Sequence, residues 1–448
     1  MTVNEELSAF AAKLANDLER HEVRERARSK KDKACFINAV YCLLHKAMHS
    51  LASPHCPAIE LSLRRGHYSS NYRYRSLPTA YRPLCAAYRA MCDAGLLKEA
   101  RKGWFDAGSV TGQRTAFLVS KKLQKQLQNA QLHKLRLPPI ETETIILKDI
   151  VDGIGTRTNY TDTPSTFRMR NDLERINRCI ARHWIDLLVT DDWFLNLAKR
   201  GVGENNLDLS KTRLERIFAR GSFELGGRFY GGWWQHVPKA LRPFITIDGK
   251  QTVEYDYSQL NPHIAYQYAG EVLGDEDAYS RIAGEEHRDV AKVAFNAMLN
   301  AGGPLSRKPA GLDLKGRPFK WAELRSKVLK AHEPIKDLFF QGIGLRFQYV
   351  DSQIAEKVML SFVGEDAPCL PIHDSFIMHC AYGGGLGELE EEMRRAFHSV
   401  IGSEIKVKGE LVTSVEFGTS GFAGMTVVDH LAVLKGPPEY QGWWERNS

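Results

Sequence analysis

Large apolar residues recur at helical spacing early in the chain. Residues 1–33 read as an amphipathic helix followed by the basic run RERARSKKDK, and Ala34–Leu51 (ACFINAVYCLLHKAMHSL) repeats apolar positions three and four apart. Leu61–Tyr74 (LSLRRGHYSSNYRY) is polar, basic and aromatic, and predicts an exposed loop. An amphipathic helix over Pro83–Ala94 is stopped by Gly95. Two strands are expected next, Leu96–Phe105 and Arg114–Val119, joined by the turn-rich DAGSVTGQ, and then a lysine-rich helix over Ser120–Gln128. The two prolines of Leu135–Thr144 (LRLPPIETET) suggest a linker. Residues 145–200 are expected to be mainly helical, with Ile145, Ile146, Leu147, Ile150 and Val151, then Trp184, Ile185, Leu187 and Leu188, as packing residues.

From Gly226 onward the pattern changes in kind. Gly226–Pro238 (GGRFYGGWWQHVP) mixes glycines with Arg228, Trp233, Trp234 and Gln235. Thr252–Tyr268 (TVEYDYSQLNPHIAYQY) alternates apolar and polar residues, so it predicts a strand that delivers Asp256 at its C-terminal end, with a helix near Pro262. A single Asp there is equally a helix cap or turn residue. In His287–Gly302 (HRDVAKVAFNAMLNAG), Arg288, Lys292, Asn296 and Asn300 lie four apart on one helix face, while Val290, Val293, Ala294 and Ala297 turn toward the core. Such a row suits a triphosphate, and is also a common solvated face. Pro368–His379 (PCLPIHDSFIMH) predicts a tight hairpin whose tip carries His373 and Asp374 between apolar arms, where an Asp also serves as a turn residue.

Composition narrows the setting. A chain of 448 residues, 43% hydrophobic, implies two or three domains. No run of 18 apolar residues occurs, and the charged amphipathic N-terminus lacks a signal-peptide core, so a cytoplasmic protein without a membrane partner is expected. None of the eight cysteines forms a CxxC pair and no Cys/His group has zinc-finger spacing, so no structural zinc is expected. Residues 1–140 hold 24 Lys and Arg against 11 Asp and Glu, or +13, leaving −6 of the total +7 to the remainder. The basic front is expected to meet a polyanion.

The four segments, in this order, resemble family A DNA polymerases and their relatives the phage-type single-subunit RNA polymerases. Gly227-Arg228 with Gln235-His236-Val237-Pro238 matches the element upstream of the first carboxylate. Asp256-Tyr257-Ser258-Gln259-Leu260 matches motif A, Arg288 with Lys292 motif B, and His373-Asp374-Ser375-Phe376 motif C. Leu411–Gly418 (LVTSVEFG) is similar to the strand that closes the family's palm. The resemblance spans about residues 215–420 and implies an α+β right hand, with an antiparallel palm sheet and small helical fingers and thumb. It implies Asp256 and Asp374 as catalytic ligands of two Mg²⁺ ions, with Mn²⁺ as a substitute. Arg288, Lys292, Asn296, Asn300, Gln259 and Asn261 would bind the nucleoside triphosphate, and Arg228, Gln235 and His373 the primer–template. The N-terminal helix, glycine and hairpin resemble a winged helix-turn-helix, which implies duplex DNA contacts by Arg101, Lys102, Arg114, Lys121 and Lys122. The expected division is a DNA-binding domain over 1–140, a helical, thumb-like region over 141–214, palm and fingers over 215–430, and a tail over 431–448.

The chain departs from the family at several positions. After Leu260 the DNA polymerases carry Glu, an apolar residue and Arg; here stand Asn261, Pro262 and His263. Asn296 replaces the usual aromatic four after the lysine, with Phe295 one place early, and Asn300-Ala301 replaces Tyr-Gly. Sugar choice is therefore open between DNA synthesis by a plasmid, phage or integrated element and an RNA polymerase or primase. A replication initiator with a non-catalytic palm is the alternative of another class. The carboxylates lie 118 residues apart, implying small fingers, and the N-terminal half shows no set of paired acidic residues for proofreading.

Overall fold

The computed structural model describes residues 4–23, 26–52, 58–69, 72–75, 77–106, 111–132, 135, 142–151, 154–189, 207, 209, 211–382 and 387–410. The expected closing strand over Leu411–Gly418 and the tail lie outside these residues. The fold is mixed α and β, in two compact units: residues 1–146, 150–161 and 191–211 form one, and residues 147–149, 162–190 and 212–448 the other.

In the first unit, α1 (Glu5–His21) packs on α2 (Lys30–Ala52). Asn4 caps α1 by accepting from the Leu7 amide at 2.9 Å. The basic run thus ends in the first turn of α2. Strand β1 (Ala58–Leu61) is followed by a 3-10 turn and α3 (Tyr81–Asp93). Strands β2 (Leu97–Arg101), β3 (Trp104–Asp106), β4 (Thr111–Gln113) and β5 (Thr115–Val119) form the expected hairpin, broken into a base and a tip. Helix α4 (Lys121–Asn129) follows, capped by Ser120. The antiparallel sheet runs β1-β5-β2, with Leu61 opposite Thr115 and Leu97 opposite Val119. Leu7, Phe36, Val40, Leu61, Leu84, Met91, Phe117 and Leu123 share one core.

Two expectations need correction. Leu61–Tyr74 is not an exposed loop: Leu61 ends β1, and Tyr68 and Tyr74 are buried. Their hydroxyls donate to the Ser62 and Thr158 carbonyls, which is what allows two tyrosines of a polar stretch to pack inside. Residues 145–157 are not helical but form β6 (Ile145–Val151) and β7 (Ile154–Arg157), the β-branched run favouring extended backbone. Ile145 and Ile146 are buried as expected, whereas Ile150 is exposed.

The second unit opens with α5 (Pro164–Ala181), whose N-terminus is fixed by reciprocal bonds between Thr163 and Thr166 and by Pro164 in the first turn. Next come β8 (Ile185–Leu187), the hairpin β9 (Glu215–Ala219)–β10 (Ser222–Tyr230), and the hairpin β11 (Ile245–Ile247)–β12 (Lys250–Tyr257). Helices α6 (Leu260–Tyr268), α7 (Ser280–Ala283), α8 (Arg288–Asn300), α9 (Trp321–Ala331) and α10 (Gly344–Val363) precede β13 (Leu370–Ile372) and β14 (Ser375–His379). Helix α11 (Glu388–Ile401) and β15 (Val407–Glu410) end the described chain. The antiparallel sheet has the order β13-β14-β12-β11-β8, and β15 takes the C-terminal half of the β12 edge beyond β11. Helix α10 packs against β10, α5 and α11. Within α8 the expected inward face is partly wrong: Val290 and Ala294 are buried, but Val293 is 39% exposed. Phe295 takes the core position instead, against Tyr279, His332 and Phe339.

Candidate active site

The second sheet brings the two expected carboxylates to one place. Residue pairing between β12 and β14 is antiparallel and sets Asp256 opposite Ser375, the residue after Asp374. The Tyr257 amide donates to the Asp374 carbonyl at 3.4 Å. His373, with φ of 57°, takes the left-handed turn that reverses the chain between β13 and β14. Ser375 locks this turn to the strand, since its one hydroxyl proton is shared between Glu254 at 2.8 Å and the Ile372 carbonyl at 3.1 Å. Arg242 holds the same Glu254 carboxylate at 2.7 Å.

Every other acid near this corner is tied. Glu254 has Arg242 and Ser375, Asp351 has Arg228, and Asp277 has Arg288 at 2.9 Å and Ser280. Asp256 and Asp374 are different: among the described residues neither side chain has a hydrogen-bond or ion-pair partner. The Asp256 carboxyl is pushed up to about 7, first by desolvation and then by the Asp374 charge, with Lys292 and Lys239 opposing. Its side chain still meets solvent on the open side, although protein surrounds it elsewhere. Two oxygen donors repel one another, the two lysines offset this only in part, and a hard divalent cation fits that donor set.

A second layer fixes the corner. Gly227 has φ of +80°, and a Cβ there would lie 2.7 Å from the Phe218 ring and 2.9 Å from the Ser352 hydroxyl. Only glycine fits, and the bulged β10 then turns Arg228 inward. Its Nε donates to Asp351 at 2.5 Å. Burial raises the Asp351 carboxyl to about 6, Arg228 opposing and Asp374 adding to the rise. Behind this pair Arg216 is buried, and each of its guanidinium nitrogens donates, to the Gly227 carbonyl, Glu356 and Ser352 in turn. Gln235 donates to the carbonyls of Phe229 and Pro371 at 2.9 and 3.0 Å, and Trp234 also donates to Pro371 at 3.1 Å. The 226–238 segment is therefore clamped on the strand leading into His373. The His373 ring lies edge-on to Tyr230 with centroids 6.4 Å apart, and burial with the Arg228 charge lowers its pKa.

The row on α8 separates by partner. Lys292 is exposed and close enough to Asp256 to lower its pKa. Arg288 pairs with Asp277 and lies over the Tyr279 ring. Asn296 accepts from the Asn261 amide at 2.6 Å and donates to the Lys292 carbonyl, and Asn300 donates to the Asn296 carbonyl. Gln259, in left-handed conformation before α6, accepts from the Ala278 amide at 2.5 Å. Gln259, Asn261 and Asn296 thus brace α6, α8 and the turn before α7 together, while Lys292 reaches the carboxylates' side.

In the first unit, Arg101 and Arg114 both pair with Glu60, at 2.6 and 3.8 Å. Lys122 donates to the Ala94 carbonyl at the end of α3, where a cation suits the helix dipole. Lys102 and Lys121 are exposed. The five basic residues lie on or beside the β2–β5 sheet and the start of α4.

Sequence reasoning missed Asp351, Glu254, Arg216 and Lys239. Asp351 did carry a signal: it falls in register with Phe347, Ile354, Ala355, Val358 and Phe362, the buried stripe of α10. An acid in an apolar stripe demands a cationic partner. Nothing local marks Arg216 or Lys239.

No protein-family model matches the chain, and no curated protein matches it. Solved structures do: 23 chains are similar, among them the POL domain of Pol1 from M. smegmatis in complex with DNA primer-template and dNTP. That likeness covers 90% of this chain and 80% of that one, at 14% identity and a TM-score of 0.31. A score of that size fixes neither fold nor chemistry.

Proposed function

We propose that this protein is a template-directed nucleotidyltransferase, a small DNA polymerase whose catalytic carboxylates are Asp256 and Asp374. The observation that carries the reading is the pair itself: adjacent oxygen donors, unpartnered among the described residues, in a corner where the other described acids are engaged. Asp256 and Asp374 would hold two Mg²⁺ ions, which when bound lower the pKa of an attacking 3′-hydroxyl and offset the charge of the leaving pyrophosphate. Lys292 and Lys239 place positive charge where the triphosphate would lie, and Arg288 stands one turn before Lys292 on α8. Arg228 and Gln235 act by holding the corner: one neutralises Asp351 beside Asp374, the other clamps the strand that delivers it. His373 stands at the turn with one side open to solvent and is assigned to the primer end.

The first unit supports a loading or initiation role. Its order, α2, β1, a short turn, α3 and the β2–β5 hairpin, is compatible with a winged helix, with Lys102 and Lys121 on the exposed surface.

Primer extension on a DNA template tests the reading, comparing dNTPs with rNTPs and using Asp374→Ala as control. Extension by the wild type and none by the variant is expected, with dNTPs preferred. Extension with rNTPs alone would move the assignment to an RNA polymerase or primase. Duplex binding without product on primed or unprimed templates, in Mg²⁺ or Mn²⁺, would leave the initiator reading.

A further inference from the structure

The β12 strand has a second chemically loaded end. Its first residues follow the Asp248-Gly249 turn, eight residues and roughly 25 Å of extended chain before Asp256. Beside that turn lie Cys179 in the last turn of α5, His183 four residues later, and Asp366 in the loop between α10 and β13. The Cys179 sulfur, a His183 ring nitrogen and an Asp366 oxygen all lie within 4.8 Å of one another. His183 Nε2 is 3.6 Å from Asp366 Oδ1, an oxygen that Arg182 also pairs with, and among the described residues that nitrogen is buried without a hydrogen-bond partner.

We propose that Cys179, His183 and Asp366 form a binding site for a zinc-type transition-metal ion, separate from the Asp256–Asp374 corner. Mixed sulfur, nitrogen and oxygen donors suit Zn²⁺, whose bonds of about 2.0–2.3 Å set tetrahedral donors roughly 3.3–3.8 Å apart. The His183–Asp366 separation already falls in that range, and the widest pair must close by at most about 1 Å.

The surroundings are those of a metal-binding histidine. Asp248 binds the other ring nitrogen, with Oδ2 2.6 Å from His183 Nδ1, and its second oxygen accepts from the Trp184 amide at 2.9 Å. A carboxylate on Nδ1 fixes the tautomer that leaves Nε2 free to ligate. On the other side lies a cavity of about 490 Å³, lined by His183, Asp248, Asp366, His379, Tyr382 and Glu388. Two of the three donors, His183 and Asp366, border it, and Cys179 does not. This runs against the expectation of no structural zinc, which was drawn from spacing along the chain. Cys179 and His183 show only a helical i, i+4 interval, and Asp366 is supplied by a distant loop.

The rival occupant of this place is a proton. Burial pulls the His183 pKa down, but the Asp248 carboxylate and the neighbouring Cys179 outweigh it and raise it to about 10. An imidazolium held between two carboxylates needs no metal.

Cobalt(II) titration of the chelator-treated full-length protein separates the two. One equivalent should produce tetrahedral d–d absorption and a near-ultraviolet thiolate-to-cobalt band, and Zn²⁺ should displace both. Cys179→Ser should abolish the thiolate band, and Asp366→Ala, at a half-exposed position, should weaken binding. Asp248→Asn should weaken binding about 10–100-fold. Asp256→Asn should change none of these signals, so the outcome does not depend on the polymerase reading. Absence of the thiolate band in the folded wild type, or its persistence in Cys179→Ser, overturns the proposal. If Cys179→Ser does not fold by circular dichroism, unchanged affinity in Asp366→Ala overturns it equally.

Discussion

The two ends of β12 put acids to opposite uses. At the C-terminal end Asp256 and Asp374 face one another without partners, and the corner is poised to accept cationic charge. At the N-terminal end Asp248 is already committed, to an imidazole and a backbone amide. One strand rigidly supports both. The difference is which neighbours are left over: at the first end all nearby arginines are spoken for by Glu254, Asp351 and Asp277, so the pair stays bare. A bare pair is costly to keep, and it persists because surrounding bonds fix the backbone on which it stands.

The largest effect should come from breaking the bare pair. Asp256→Ala or Asp374→Ala should lower nucleotide incorporation at least about a thousandfold, corresponding to several kcal/mol of lost transition-state stabilisation. Duplex binding by residues 34–128 should survive in both variants, measured by fluorescence anisotropy. Equal loss of binding would show that the two activities are not separable.

Breaking a committed acid should cost stability instead. Asp351→Ala leaves Arg228 without its buried partner, and a loss of about 3–5 kcal/mol in urea unfolding is expected. A change under 1 kcal/mol would mean that Arg228 finds solvent easily, contrary to its role as a brace.

A smaller effect distinguishes the ends by pH. Asp256 has its pKa raised in the folded state, so its contribution to stability is full below the ordinary value of 3.8 and is lost as pH rises through about 7. Asp351 gives a drop of the same sign near 6. With chelator present, the melting temperature should fall between about pH 4 and 7, and Asp256→Asn should flatten the upper part of that fall. Because Asp256 meets solvent, the gain should be only about 1 kcal/mol. Mg²⁺ should restore the wild type and leave Asp256→Asn unchanged. A flat wild-type profile would show that the fold raises neither the Asp256 nor the Asp351 carboxyl.

The smallest effect lies in the first unit. Lys121→Ala should reduce the slope of log affinity for duplex DNA against log salt by about 0.9, while Lys122→Ala, whose ammonium caps α3, should reduce it less. Equal changes would show that the cap yields to phosphate.

Much of the site was legible because its signals are local. Alternation around Val253 and Tyr255 announced β12, apolar arms around His373-Asp374 announced the hairpin, and four-residue spacing announced α8. The inward face of α8 was misjudged at Val293 because helical spacing gives an angle and not the identity of the packing neighbour. The segment over 145–157 was misjudged because a short apolar run fits a helix or a strand equally well.

The order of motifs and the residue types that could bind a hard cation were determined by the sequence itself. So were the caps that start α1, α4 and α5, since a cap needs only near neighbours. Tertiary structure decided which charges remain available. Arg228, Arg288, Gln235 and Asn296 read as ligand-binding residues along the chain, yet partners from 4 to 136 residues away engage them in the fold. Lys292 and the two aspartates keep their charge open. Desolvation and charge pairing act through space, and the chain order of the groups they join carries no record of them.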